Sequence, residues 1–329
     1  LDISRPLPPA ARGALFEKTA PLDPLQKLFI MAKTREYDLI NEQVIVIYDK
    51  LFPLYIVKGE KNFLIDSGVT AKAEAFYAKI NCVLMATGGR EDQGIQSLLL
   101  THTHFDHIGA ASYLQGKFGF DVTCSRRGAQ LLQRNKVVEI LNRLNQEHKK
   151  MVKVSSDTGF EKMEHFNVVG DGDHIRVDEH SYFEVIETPG HTKCSIAFLL
   201  HPRQILFPGD AVGLMNPDGA IKPLFFSNYA EYVNSLEKLI RLEAEVLAFS
   251  HNKFIKGKKR VKKHLENSLH RTFKIKDEIT QYLKKEEDVT KIAQSIYERE
   301  FPGGNLLGSK EALLINLETM IKVIRKSQL

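Results

Sequence analysis

The sequence predicts an α/β (α+β) fold: a strand-rich body interrupted by a helical insert and followed by a helical C-terminal region. Three observations predict it. Short apolar runs rich in β-branched and aromatic residues recur from Val44 to Phe249, punctuated by Gly, Pro, Asp and Ser. Between Arg126 and His148, Val137, Leu141 and Leu144 follow helical spacing. Beyond His251 the apolar positions keep that spacing through Val261, Leu265 and Leu269, then Val289, Ile292 and Ile296, then Leu313, Leu317, Met320 and Ile324.

The stretch up to about Pro24 is Pro-rich and reads as surface-lying chain. Val44 to Tyr48, Leu54 to Lys58 and Phe63 to Ile65 follow as short strands. Ala71 to Ile80 and His107 to Lys117 read as helices, with the apolar run Ile95 to Leu100 between them. The insert spans about 126–165 and is longer than a minimal sandwich needs. Three further strands follow: Tyr182 to Ile186, Gln204 to Phe207 and Glu245 to Phe249. The expected division is a catalytic body over 1–255 and a helical region over 256–329 packing near the site.

Thr101-His102-Thr103-His104-Phe105-Asp106-His107 follows the run ending at Leu100 and packs three histidines and a carboxylate into six positions. Alternate side chains of an extended segment share a face, so His102 and His104 can reach one ion, while Asp106 and His107 face a second position. Such groups repel or compete when crowded unless a cation gathers them. Nitrogen and oxygen donors suit zinc first, with iron or manganese as alternatives. His191, Asp210 and His251 each stand just past the end of a strand, after Thr188-Pro189-Gly190, Pro208-Gly209 and Ser250 respectively. Seven donors from four strand ends make a site for two divalent metal ions.

This ordered set resembles the metallo-β-lactamase superfamily in its hydrolase form. The stretches Phe63-Leu64-Ile65-Asp66-Ser67-Gly68, Glu187-Thr188-Pro189-Gly190-His191-Thr192 and Phe207-Pro208-Gly209-Asp210 resemble the family's stretches in the same order. The resemblance implies an αββα sandwich. It implies that His102, His104 and His191 bind one metal, that Asp106, His107 and His251 bind the other, and that Asp210 bridges both. Asp66 would steady the ligand loop from outside, although an aspartate before Ser-Gly also suits a turn. Cys194 and Asn252 stand where many relatives have glycine, and neither removes a ligand. Antibiotic-hydrolysing relatives lack a bridging aspartate, so β-lactams are not the expected substrates. The long insert, with Val137 to Asn145 inside it, and the segments Phe301-Pro302-Gly303-Gly304 and Leu307-Gly308-Ser309 are similar to the branch containing the PqsE-like response proteins and acyl-thioester hydrolases.

The chemistry that two such ions support is hydrolysis by a bridging hydroxide, formed near neutral pH because metal binding can lower the pKa of water to about 7. Asp106 and Asp210 are the expected catalytic carboxylates. The expected substrate is a small anionic thioester or ester of the acyl-coenzyme A kind. The alternatives are a phosphodiester such as RNA, a lactone or glutathione thioester, or a regulatory role with incidental esterase activity. Lys253 to Lys263 carries seven positive side chains and no acid within a chain of net charge +5. Lys256, Lys258, Lys259 and Arg260 are therefore candidates for an anionic substrate, with a solvated helix face as the alternative. Only Phe254 interrupts the run as an aromatic, which gives single-strand base stacking little support. Cys82, Cys124 and Cys194 are odd in number and widely spaced, which fits a reducing cytoplasm. No signal peptide, targeting helix or membrane-length apolar run is recognised, and self-association is left open.

Overall fold

The computed structural model describes residues 37–88, 94–216, 219–301 and 309–328. The Pro-rich stretch before Pro24 and most of the segment from Phe301 to Ser309 lie outside the described residues. The N-terminal sheet contains β1 (Tyr37–Leu39), β2 (Val44–Ile47), β3 (Leu54–Val57), β4 (Phe63–Ile65), β5 (Ser97–Leu99), β6 (Asp121–Ser125) and β7 (Asn167–Val169), neighbours in space in the order of the chain. Pairing is antiparallel from β1 to β4 and parallel from β4 to β7. The parallel pairs require crossovers, which supply α1 (Ala73–Ala86), α2 (Phe105–Ile108), α3 (Ala111–Phe118), α4 (Arg126–Leu132) and α5 (Asn135–Val152).

The second sheet is built from β8 (His174–Arg176), β9 (Tyr182–Glu187), β10 (Ile196–His201), β11 (Ile205–Phe207), β14 (Val246–Ala248) and β15 (Phe254–Lys256). Its spatial order is β15-β14-β11-β10-β9-β8. A small hairpin, β12 (Leu214–Met215) with β13 (Ile221–Lys222), and α6 (Tyr229–Arg241) intervene before β14. The chain ends in α7 (Lys258–Leu283), α8 (Val289–Glu300) and α9 (Lys310–Ser327).

Three buried clusters define four layers. The strand β2 illustrates the cause: Val44 and Val46 belong to the cluster between the sheets, while Ile45 and Ile47 belong to the cluster under α1, α3 and α5. Consecutive side chains point to opposite faces, so a strand covered on both sides must be apolar throughout. The third cluster joins Ala197, Leu199, Leu206 and Leu247 of the second sheet to Leu236 of α6 and to Val261, Ile279, Ile296 and Ile321 of α7 to α9. The three apolar stripes at the C-terminus therefore meet in this cluster, α7 against the sheet and α8 and α9 against α7 and each other. Among the described residues, no helix is long and apolar enough to cross a membrane.

Three elements differ from the sequence reading. The helix expected over His107 to Lys117 is two, Phe105–Ile108 and Ala111–Phe118, separated at Gly109 and Ala110. The helix expected over Arg126 to His148 is two helices, broken at Gln133 and Arg134, with Ser125 accepting from the Gly128 amide to start the first. An N-cap oxygen and an extended Arg134 define these ends better than apolar spacing does. Phe254–Lys256, within the region read as helical, forms β15 because the free edge of β14 is there to pair with it. Tertiary pairing overrides local propensity in so short a segment.

His264 of α7 is buried against the Phe249 ring, 4.9 Å between centroids, and its Nε2 has no partner among the described residues. Burial pushes its pKa down to about 4. An unfolded imidazole titrates near 6.5, so between those values the unfolded chain holds a proton that the folded chain lacks, and stability falls as pH drops through the window. His264→Phe is expected to remove up to about 3 kcal/mol of this acid destabilisation. Urea unfolding of both proteins at pH 7 and 4.5 measures it, and equal losses in the two would refute the assignment.

Candidate metal centre

All four strand ends that carry candidate ligands open on the same edge of the sandwich. After β5 the chain stays extended through His104 (φ −71°, ψ 152°) and then enters α2, whose first turn holds Asp106 and His107. His102 and His104 therefore sit two apart on extended chain, while Asp106 and His107 are turned toward a second point. His191 and Asp210 follow glycines that the backbone requires. Gly190 has φ +125°, and a Cβ there would lie 2.3 Å from the backbone of Tyr232; Gly209 has φ +55° and packs against Thr101. His251 follows β14.

The seven side chains form two groups. His191 Nε2 lies 3.2 Å from His102 Nε2 and 3.1 Å from His104 Nδ1, and 3.4 Å from Asp210 Oδ2. His251 Nε2 lies 3.2 Å from His107 Nε2, 3.5 Å from Asp106 Oδ2 and 3.3 Å from Asp210 Oδ1. Asp210 thus offers one oxygen to each group. Four donors held tetrahedrally about 2.0 to 2.1 Å from an ion stand about 3.3 Å apart, so these separations match a metal's first sphere.

The ring orientations point the same way. His191 donates from Nδ1 to the Leu224 carbonyl at 2.7 Å, and His251 from Nδ1 to the Leu51 carbonyl at 3.1 Å. His107 Nδ1 lies 2.8 Å from Asp66 Oδ2, and His102 Nδ1 lies 3.1 Å from Thr101 Oγ1. Each of these four rings spends its outer nitrogen on an acceptor, so in the neutral ring the inner Nε2 carries the lone pair. Lone pairs facing one another at 3.1 to 3.2 Å are repulsive unless a cation or proton lies between them. The donor set therefore fits two divalent ions.

Charge at the centre follows the same division. Burial, reinforced by His191, pushes His104 down to about 3, and burial with the neighbouring imidazoles holds His102 well below its ordinary range. Burial opposes protonation at His107 and His251 too. There the carboxylates, Asp210 foremost, outweigh it and raise both. Asp210 is buried, which favours its neutral form, yet His251 and His107 hold it well below the carboxylate range. The centre is built to be filled by positive charge.

Asp66 has φ +53° and accepts from the Thr101 amide at 2.8 Å, the Thr101 hydroxyl at 2.8 Å and His107. The Thr101 hydroxyl in turn meets His102, so one carboxylate supports a ligand of each group. The other predicted residues lie elsewhere. Because β15 runs antiparallel to β14, Lys256 pairs with Val246, five residues before His251, or about 16 Å along the strand. Lys256 donates to the Ile40 carbonyl and Lys258 pairs with Glu243 at 2.8 Å. Lys259 and Arg260 follow on the first turn of α7. The structure does not bring these four to the seven.

Several residues at the centre were not singled out from the sequence. Phe226 lies 5.0 Å from the His191 ring and 6.4 Å from His104. Phe52 meets His251 on one side and His148 on the other, both at 5.7 Å. His148 of α5 is buried with neither ring nitrogen partnered among the described residues, and burial lowers its pKa. The carbonyls of Leu51 and Leu224 leave no trace in a sequence, whereas Thr101 could have been read from its place at the head of the histidine motif.

The comparisons agree with this geometry. The sequence model of the metallo-beta-lactamase superfamily matches residues 53–251. Acyl-coenzyme A thioesterase MBLAC2 of Homo sapiens is 29% identical over 200 residues, which cover 57% of this chain and 67% of that protein. Hydroxyacylglutathione hydrolase GloC of Haemophilus influenzae is 30% identical over 121 residues, covering 37% of this chain and about half of that one, 51%. Among solved structures, a metallo-beta-lactamase family protein from Thermus thermophilus superposes with a TM-score of 0.60 at 18% identity, over 86% of this chain and 89% of that one. With a match over more than half of its length, enclosing all seven converging donors, this chain belongs to the metallo-beta-lactamase superfamily.

Proposed function

We propose that the protein is a dinuclear metal-dependent hydrolase of thioesters, acting on a small anionic acyl thioester of the acyl-coenzyme A kind. The observation that carries the dinuclear reading is Asp210, with one carboxylate oxygen toward each donor group. His102, His104 and His191 would hold one ion, and Asp106, His107 and His251 the other. Zinc is the expected metal, with iron or manganese as alternatives. Held by these residues, two such ions would supply an acidified water and polarise the scissile carbonyl.

The residues of the chain do the positioning. Asp210 fixes the spacing of the two groups and offsets their charge. Asp106 is the least buried of the carboxylates here, with a side chain 20% exposed, and would orient the attacking hydroxide at its solvent side. Asp66 and Thr101 hold His107 and His102 in the tautomer that leaves Nε2 free. A thiolate is a good leaving group, so no side chain is required to protonate it. The names of the two relatives, a thioesterase in the human case and a hydroxyacylglutathione hydrolase in the Haemophilus case, support this substrate class. A phosphodiester would draw its support from the basic run, and that run turns away from the centre along β15.

Asp210→Asn is expected to lose most of one metal equivalent and at least about a hundredfold in kcat while remaining folded. Metal analysis beside circular dichroism tests it; full metal content with normal turnover would remove the bridging role. Asp66→Asn should weaken metal binding by about tenfold to a hundredfold, because the groups that orient ligands contribute on that scale. Competition with a chelator reads the change, and unchanged affinity would reduce Asp66 to a turn residue. Hydrolysis of an acyl-coenzyme A, S-lactoylglutathione, a homoserine lactone and bis-p-nitrophenyl phosphate by metal-analysed protein decides the substrate. Thioester rates well above the phosphodiester rate are expected, and the reverse order would overturn the reading.

A further inference from the structure

On the face where α7, α8 and α9 meet the β12–β13 hairpin lies a groove to which the proposed reaction assigns no role. Its volume is about 50 Å³, and it is walled by Leu214, Leu224, Ile275, Leu313, Leu317 and Met320 among others. That space admits about three or four water-sized groups in line, enough for part of an alkyl chain. The deeper wall is apolar and fully packed, with Ile275 and Met320 each 3% exposed. Charged side chains gather at one part of the lining, each 14 to 19% exposed: Lys222, Arg271 and Glu300.

The charges there do not cancel. Glu300 Oε2 lies 2.5 Å from Lys222 Nζ and 2.7 Å from Arg271 Nη2, and these two cations hold its pKa down at about 2. Glu278 meets Arg271 at 3.5 Å and Arg299 at 2.6 Å. Three cations therefore share two carboxylates. Arg271 has five N–H groups and, in the described residues, only these two carboxylate contacts, so its fork retains donors. Half-buried donors with a surplus positive charge, set beside an apolar cleft, match one ligand shape: an alkyl chain ending in an anion.

We propose that this groove is a binding site for a medium-chain aliphatic carboxylate, with the chain against Leu317, Met320 and Ile275 and the carboxylate on Arg271. The site is separate from the two metal groups. None of the seven donors lines it, and the two are linked through Leu224, which lines the groove and whose carbonyl accepts from His191. The inference does not rest on the thioesterase reading, since it needs only the groove and its charges.

The test is calorimetric titration of the metal-loaded protein with octanoate and with 1-octanol. Octanoate is expected to bind at least about tenfold more tightly than the alcohol, the difference one charge-assisted hydrogen-bonded pair provides. Leu313→Trp, which adds bulk at the half-buried wall, should abolish binding, and Arg271→Lys, which keeps the charge against Glu300 but loses the fork, should weaken it about fivefold or more. Metal content and hydrolysis of a neutral ester should stay unchanged in both variants, which separates this groove from carboxylate binding at the metals. Absence of octanoate binding, equal affinity for the alcohol, or binding untouched by both substitutions with the proteins folded would overturn the proposal. Loss of octanoate binding in Asp210→Asn but not in Leu313→Trp would do the same, by assigning it to the metal centre.

Discussion

The buried carboxylate of Asp66 is the contact on which the centre depends, although it touches neither donor group's interior. It stands at the end of β4, receives the amide and hydroxyl of Thr101 from the end of β5, and holds His107 from α2. A carboxylate is tolerated there because its acceptor sites are met by three donors; unpaired, it would cost several kcal/mol or change its protonation. Through Thr101 it also reaches His102. The two parallel strands are thereby fixed end to end, and the turn between the two donor groups is fixed with them.

The architecture explains why donors so scattered in sequence meet. Two sheets packed on a common cluster bring the ends of β5, β9, β11 and β14 to one edge, and the glycines before His191 and Asp210 let the chain pass against Tyr232 and Thr101. The outer helices then cover both sheets. Stability and site geometry consequently share a cause: the same apolar strands that form the core end at the donors.

Much of this was legible in the sequence. The motif from His102 to His107 is dense enough to declare itself, and His191, Asp210 and His251 were recognisable because each follows a β-rich run and a turn. The αββα layering followed from family resemblance, and the apolar spacing beyond His251 marked the last three helices. Other features were not legible, for reasons that lie in tertiary structure. β15 exists because β14 offers an edge, and its direction carries Lys256 away from His251, which a count of two or five residues along the chain could not reveal. The split at Arg134 depends on a cap and one extended residue. The acceptors at Leu51 and Leu224 are backbone atoms, and any residue would have supplied them.

Those two carbonyls bear on how such a centre can change over generations. The orientation of His191 and His251 is set by the path of the main chain, so no single side-chain replacement at 51 or 224 deletes the acceptor. Only His107 and His102 rely on side chains, and both rely on the same pair, Asp66 and Thr101. The side chains at 51 and 224 can therefore be exchanged while the acceptors that orient the two rings stay in place. Side-chain identity and ring orientation are written in different parts of the same residues, and the first can drift without the second.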